Sequence, residues 1–192
     1  MRTSVATCIF SRACVVGRTV DRTALSTLAR LLESVSIRWV LIGALAANRY
    51  RTSPRLTQDV DLLLANRGRD GVLYAALQAA GWTIRHATAE GDLLRLRHPE
   101  LGVADLLIAG TDYQQLALAR GREEAIADGQ PIWVATAEDV IVHKLIAGRH
   151  QDIADIESII AARIALDESY IEHWAVYWDV DEVWAKLRGP HA

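Results

Sequence analysis

Residues 58–64 read QDVDLLL, and the segment fixes how the rest of the chain is understood. Strand side chains alternate between faces, so Asp59 and Asp61 share one side while Val60 and Leu62 share the other. The apolar run that follows is short, which suits a strand buried within a sheet. Two carboxylates side by side on such a strand repel each other, and each resists desolvation. A divalent cation between them reverses both penalties, and hard oxygen donors suit magnesium. An isolated Asp-x-Asp also occurs at solvated strand ends, so the weight of this one comes from its neighbours.

Upstream, Ile37–Ile42 (IRWVLI) predicts another buried strand, followed by Gly43 and a short helix from Ala44 to Tyr50. A glycine at a strand-to-helix turn lets backbone approach a phosphate, and helix N–H groups can meet it. The linking loop, RTSPRLTQ, is broken by Pro54, and Arg49, Arg51 and Arg55 supply positive charge beside the carboxylates. Downstream, Asp105 interrupts the apolar stretch VADLLIA. If that strand lies beside the first, three carboxylates converge, an arrangement able to hold two cations about 3.5–4 Å apart for in-line phosphoryl displacement.

The remaining pattern predicts a helix from Asp21 to Ser36 with Ala24, Leu25, Leu28, Leu31 and Leu32 on one face. A helix over Gly71–Ala80 is closed by Gly81, and strands over Trp82–Thr88, Asp92–Arg97 and Gly102–Ile108 are joined by tight turns. The second half is expected to be mostly helical: Asp112–Ile126, then a turn at Asp128-Gly129 and a short strand Pro131–Val134. Thr136 caps a helix that stops at Gly148, another runs from His150 to Arg163, and one or two more fill the Trp174–Leu187 region. The expected class is α+β, a mixed sheet with flanking helices and a helical C-terminal lobe. Residues 1–20 form an expected leader, 21–135 the core, and 136–192 a helical lobe of the same compact unit.

Composition narrows the function classes. The chain has 192 residues, 51% hydrophobic and 23% charged, enough apolar material for a core. A net charge of −3 excludes a bulk nucleic-acid coat protein. Cys8 and Cys14 are the only cysteines, which excludes a disulfide scaffold or a zinc ribbon. No apolar run is long enough to span a bilayer, and a cytoplasmic protein is expected. Of 21 basic residues, only Lys144 and Lys186 are lysines. In a chain that otherwise uses arginine, Lys144 marks a place that needs a compact ammonium. It lies among Val140, Ile141, Leu145 and Ile146, so its stem can rest on apolar surface. His143 and His150 are read as ordinary core or surface histidines, and Trp174, Trp178 and Trp184 as packing residues of the helical lobe.

Gly43-Ala44, then Arg55-x-Thr57-x-Asp59-Val60-Asp61, then a distant Asp105, resembles the nucleotidyltransferase superfamily of the DNA polymerase β type. With TAEDVIVHKLIAGRHQDIADI downstream, roughly residues 36–160 are similar to its bacterial AbiEii-like group, which includes toxins of toxin–antitoxin systems. The resemblance implies a magnesium-dependent transferase that uses two ions during turnover. Asp59, Asp61, Asp105 and Lys144 would be the catalytic residues: Asp59 and Asp61 would bind both metals, and Asp105 would bind one and assist deprotonation of the acceptor hydroxyl. Gly43, Ala44, Arg55, Thr57, Lys144, Arg149 and Asp152 would contact the nucleotide, with Lys144 on the triphosphate. It implies a nucleoside triphosphate as donor, a tRNA or protein hydroxyl as acceptor, and a cognate antitoxin as partner. One departure is Ala44, where the family has Gly or Ser. The alternatives are a small-molecule transferase of the aminoglycoside-modifying kind, and a catalytically silent nucleotide-binding protein with the same fold.

Overall fold

A computed structural model describes residues 20–57, 59–65, 70–88, 92–125 and 130–189. The expected leader and the Asp128-Gly129 turn lie outside the described residues. The elements in order are α1 (Val20–Ser34), β1 (Trp39–Leu41), α2 (Gly43–Ala47), β2 (Asp59–Ala65), α3 (Asp70–Ala79), β3 (Thr83–Ala87), β4 (Leu93–His98) and β5 (Gly102–Ala109). There follow α4 (Asp112–Arg120), β6 (Arg122–Ala125), β7 (Pro131–Val134), α5 (Ala137–Ala147), α6 (His150–Ala161), α7 (Glu168–Tyr177) and α8 (Asp181–Arg188).

The seven strands make one mixed sheet in the order β3-β4-β5-β2-β1-β7-β6. β2 runs parallel to β5 and antiparallel to β1, while β1 runs parallel to β7. This is the mixed α/β class anticipated from the pattern, with four helices closing the chain. The apolar alternation does the sorting. Val60, Leu62 and Leu64 on β2, with Ala104 and Leu106 on β5, are fully buried. The helical stripe Ala24, Leu25, Leu28 and Leu32 of α1 is buried too, and α1 packs against β2 and β5. Asp59, Asp61, Val103, Asp105 and Leu107 alternate onto the other face, where they stay exposed or half-buried.

One expected element is corrected. The helix predicted over Asp112–Ile126 ends at Arg120, and Arg122–Ala125 is a strand paired antiparallel with β7. Local helix propensity in REEA yields to that pairing, since tertiary context overrides weak preferences. Gly121 is where the path changes: its backbone lies against Val40, and a Cβ there would stand 3.0 Å from the valine side chain. The short helix after Gly43 also ends earlier than expected, at Ala47. Two caps appear where the sequence placed them. Thr136 accepts from the Asp139 N–H at the start of α5, and Gly148 closes that helix in the left-handed region.

Candidate active site

Register brings the acidic residues together. In the β2–β5 pair Asp61 stands opposite Asp105, and Asp59 opposite Val103. In the β4–β5 pair Arg95 stands opposite Asp105. Arg95 donates from Nε to Oδ1 of Asp105 at 2.8 Å and from Nη2 to Oδ2, a bidentate fork. Asp61 carries the most constrained carboxyl. Burial, then the negative charges of Asp105 and Asp59, push its pKa up to about 6 against the partial relief of Lys144 and a hydrogen bond from the Ala44 backbone. Asp59 is exposed and its side chain has no hydrogen bond or ion pair among the described residues.

Gly43 serves that same carboxylate. It has φ +66°, and a Cβ built on it would stand 2.0 Å from Oδ2 of Asp61. The close approach therefore requires glycine on two counts, left-handed backbone and space. The Ala44 N–H, which the sequence offered to a phosphate, is given in this structure to Asp61. Alanine suffices there because only its backbone is used.

Lys144 lies at the centre of a buried charge cluster. Its Nζ donates to Oδ1 of Asp152 at 3.0 Å and pairs with Oδ2 of Asp155 at 2.6 Å, and the side chain is 5% exposed. Asp155 also accepts a fork from Arg55, with both bonds at 3.0 Å, and pairs with Arg51 at 2.7 Å. Arg149 reaches Asp152 from Nε at 2.7 Å while remaining 78% exposed. Burial opposes ionisation of both aspartates, but these cations outweigh it and hold their pKa values below the usual carboxylate range. Arg55, expected at the nucleotide, thus braces the loop before β2 onto α6. Asn48 closes that loop by exchanging hydrogen bonds with the Arg55 backbone, and Thr57 is half-buried in it. Arg49, the remaining loop arginine, pairs with Glu124 on β6.

A cleft of about 630 Å³ opens at this point. Gly43, Asp61, Asp105, Lys144, Arg149 and Asp152 line it, so six of the residues singled out in the sequence share one cavity. Asp59, Ala44, Arg55 and Thr57 are not on its wall. Other wall residues carry chemistry the sequence did not assign to a site: Arg95, Tyr113, Gln114, His143 and Trp178. Arg95 lies within the strand expected over Asp92–Arg97, but its pairing with Asp105 depends on register. His143 packs its ring 5.3 Å from that of Tyr113. Burial lowers its pKa to about 4, so it is neutral at pH 7. The Nε2 of His143 and the Nε1 of Trp178 are buried without a hydrogen-bond partner.

The donor chemistry fits a hard divalent cation. Burial first, and then the negative charges of Asp105 and Asp59, disfavour ionisation of Asp61, and a bound cation relieves the repulsion. Among the described residues, no group of three His, Cys, Asp or Glu side chains is placed to hold a metal ion, so the three expected carboxylates do not converge as a ready-made site. Asp105 has both oxygens on Arg95, so its part in a metal site requires that guanidinium to turn away.

No family model and no curated protein matches the chain. Several solved structures do. ANT(2″)-Ia in complex with adenylyl-2″-tobramycin has 16% identity and a TM-score of 0.59, covering 86% of this chain and 98% of its own. The lincosamide antibiotic adenylyltransferase LnuA, lincomycin-bound, has 16% identity and a TM-score of 0.55, covering 73% of this chain and 96% of its own. An antigenic nucleotidyltransferase-like protein from Paracoccidioides brasiliensis has 19% identity and a TM-score of 0.54, covering 87% and 91%. Identity at this level speaks for architecture alone. The chain has the nucleotidyltransferase-like fold.

Proposed function

We propose that the protein transfers a nucleoside monophosphate from a nucleoside triphosphate to a small hydroxyl-bearing acceptor. The observation that carries this is the pairing of Asp61 with Asp105 across β2 and β5, beside Asp59, in a cleft whose other wall holds Lys144 and Arg149. Negative oxygens for a cation on one side and positive charge for phosphates on the other is what nucleotidyl displacement requires. Asp59, Asp61 and Asp105 would hold Mg2+, which when bound supplies Lewis-acid charge at the reacting phosphate. The acceptor oxygen forms a bond to the α-phosphorus, the bond from that phosphorus to the bridging oxygen breaks, and pyrophosphate leaves. The hydroxyl proton passes to Asp59, the exposed carboxylate, and on to water.

The residues of this chain do the positioning. Gly43 admits Asp61 to the turn, and the Ala44 N–H orients its carboxylate. Asp152 and Asp155 fix the Lys144 ammonium, whose charge is felt at Asp61. Arg149, anchored by Asp152 yet largely exposed, meets the departing phosphates at the rim. The likeness to antibiotic adenylyltransferases supports a small-molecule acceptor over a tRNA or protein acceptor and its toxin–antitoxin setting. Incubation with each α-labelled nucleoside triphosphate, Mg2+ and a panel of small polyhydroxyl compounds tests this. Transfer of label to one of them is the expected result. Transfer to RNA or to protein alone would replace the small-molecule reading.

A further inference from the structure

Beyond the Arg95–Asp105 pair the open sheet face holds a second hollow, about 340 Å³, lined by Asp59, Arg85, Arg95, Leu96, Arg97 and Val103. Arg95 lines both cavities and forms the ridge between them. Its charge is matched by Asp105. The other two arginines are not matched. Arg97 lies two residues along β4 from Arg95 and so points to the same side. Arg85 stands at a β-bulge: Ile84 pairs with Leu96 and His86 with Arg95, leaving Arg85 as the extra residue. Bulges re-aim side chains and gather beside functional sites. Arg85 and Arg97 are exposed and form no ion pair among the described residues.

The position of this hollow gives those charges a purpose. In an in-line displacement the incoming and departing oxygens sit on opposite sides of the phosphorus. Lys144 and Arg149, which suit the departing pyrophosphate, line the large cleft. The hollow shares only Arg95 with that cleft and has Asp59 in its wall, which suits it to the incoming acceptor. Two guanidinium groups without an ion pair against the single carboxylate of Asp59 leave the hollow net positive, which attracts an anion, suits phosphate oxygens bound as forks, and repels a polyamine. About 340 Å³ is room for a sugar-sized molecule.

We propose that Arg85 and Arg97 form the binding site for the phosphate group of a small phosphorylated acceptor. This rests on the nucleotidyl-transfer reading of the neighbouring cleft. The two are separated by measuring acceptor and nucleotide binding independently, on the full chain by calorimetry. Without metal, glucose 6-phosphate and inorganic phosphate should bind, whereas glucose and tobramycin should not. The Arg85→Ala, Arg97→Ala double variant should weaken glucose 6-phosphate about tenfold or more, and Arg85→Lys, Arg97→Lys should restore part of it. Binding of α,β-methylene ATP with Mg2+ should be the same in all three proteins, which also shows that each is folded. Glucose binding as well as its phosphate, no phosphate binding at all, or no loss in the alanine variant would overturn the site. So would a single-stranded oligonucleotide that occupies the same arginines far more tightly than glucose 6-phosphate. If the wild type binds glucose 6-phosphate through these arginines but not the nucleotide analogue, the phosphate site stands and the transfer reading of the cleft falls.

Discussion

Gly43 and Asp61 occupy one another's space: the missing β-carbon of the glycine is where the aspartate carboxylate sits, 2.0 Å from Oδ2. The Gly43→Ala change therefore meets two penalties. A left-handed backbone costs an alanine about 1–2 kcal/mol, and displacing a half-buried carboxylate from the Ala44 N–H adds to that. In an Asp61→Ala background the carboxylate contacts are gone and only the 2.7 Å approach to the Cβ at position 61 remains, so part of the second penalty is relieved. A double-mutant cycle read by denaturant midpoints should give a coupling of at least about 1 kcal/mol, and additivity would show that the two residues do not touch.

The same carboxyl predicts how stability depends on pH. The folded pKa of Asp61, about 6, lies above its ordinary value of 3.8, so the folded protein takes up this proton more readily than the unfolded chain. The resulting stabilisation is complete below about pH 4 and is lost as pH rises through about 6. His143 works in the opposite direction. Its folded pKa of about 4 lies below the ordinary 6.5, so its stability contribution is full above pH 6.5 and is lost as pH falls toward 4. The two slopes oppose each other between pH 4 and 6. The Asp61→Asn variant, which keeps an oxygen for the Ala44 N–H, should lose stability more steeply than wild type on acidification over that range. Parallel profiles for the two proteins would contradict the raised pKa.

The buried cluster predicts an order of damage. Asp155→Ala leaves Arg51 and Arg55 without their carboxylate and Lys144 with Asp152 alone, and breaking a buried pair of this kind costs about 3–5 kcal/mol. Lys144→Ala should cost less, because Asp155 keeps Arg51 and Arg55 and Asp152 keeps Arg149. Chemical denaturation of both variants checks this. A larger loss in Lys144→Ala would mean that the lysine, and not the aspartate, is the keystone.

Why some of this was legible in the sequence and some was not follows from the range of the interactions. Asp59 and Asp61 declare their shared face by period-two alternation alone. Asp105 stands out as a charge inside an apolar strand, and the parallel pairing of β2 with β5 then sets it opposite Asp61. Arg95 was hidden because its role comes from the register of β4 against β5. The environment of Lys144 was hidden for a related reason. Its partners sit on α6, after the left-handed turn at Gly148, so helical spacing cannot place them. Arg55 looked like a phosphate ligand because a loop arginine beside carboxylates has that meaning locally, whereas its partner lies 100 residues on. The Arg122–Ala125 strand was misread because its residues favour helix and only β7 makes them a strand.

Pyrophosphate release reports whether the Asp59, Asp61 and Asp105 face drives nucleotidyl transfer. With a nucleoside triphosphate, Mg2+ and acceptor, wild type should release pyrophosphate. The Asp61→Asn variant should release it at least about 100-fold more slowly, because it removes charge needed where the transition state develops its own. At pH 7 that variant should melt at or above the wild-type midpoint, since a carboxylate crowded by Asp105 and Asp59 is gone. Equal release by wild type and a folded Asp61→Asn protein would show that this acidic face does not drive transfer.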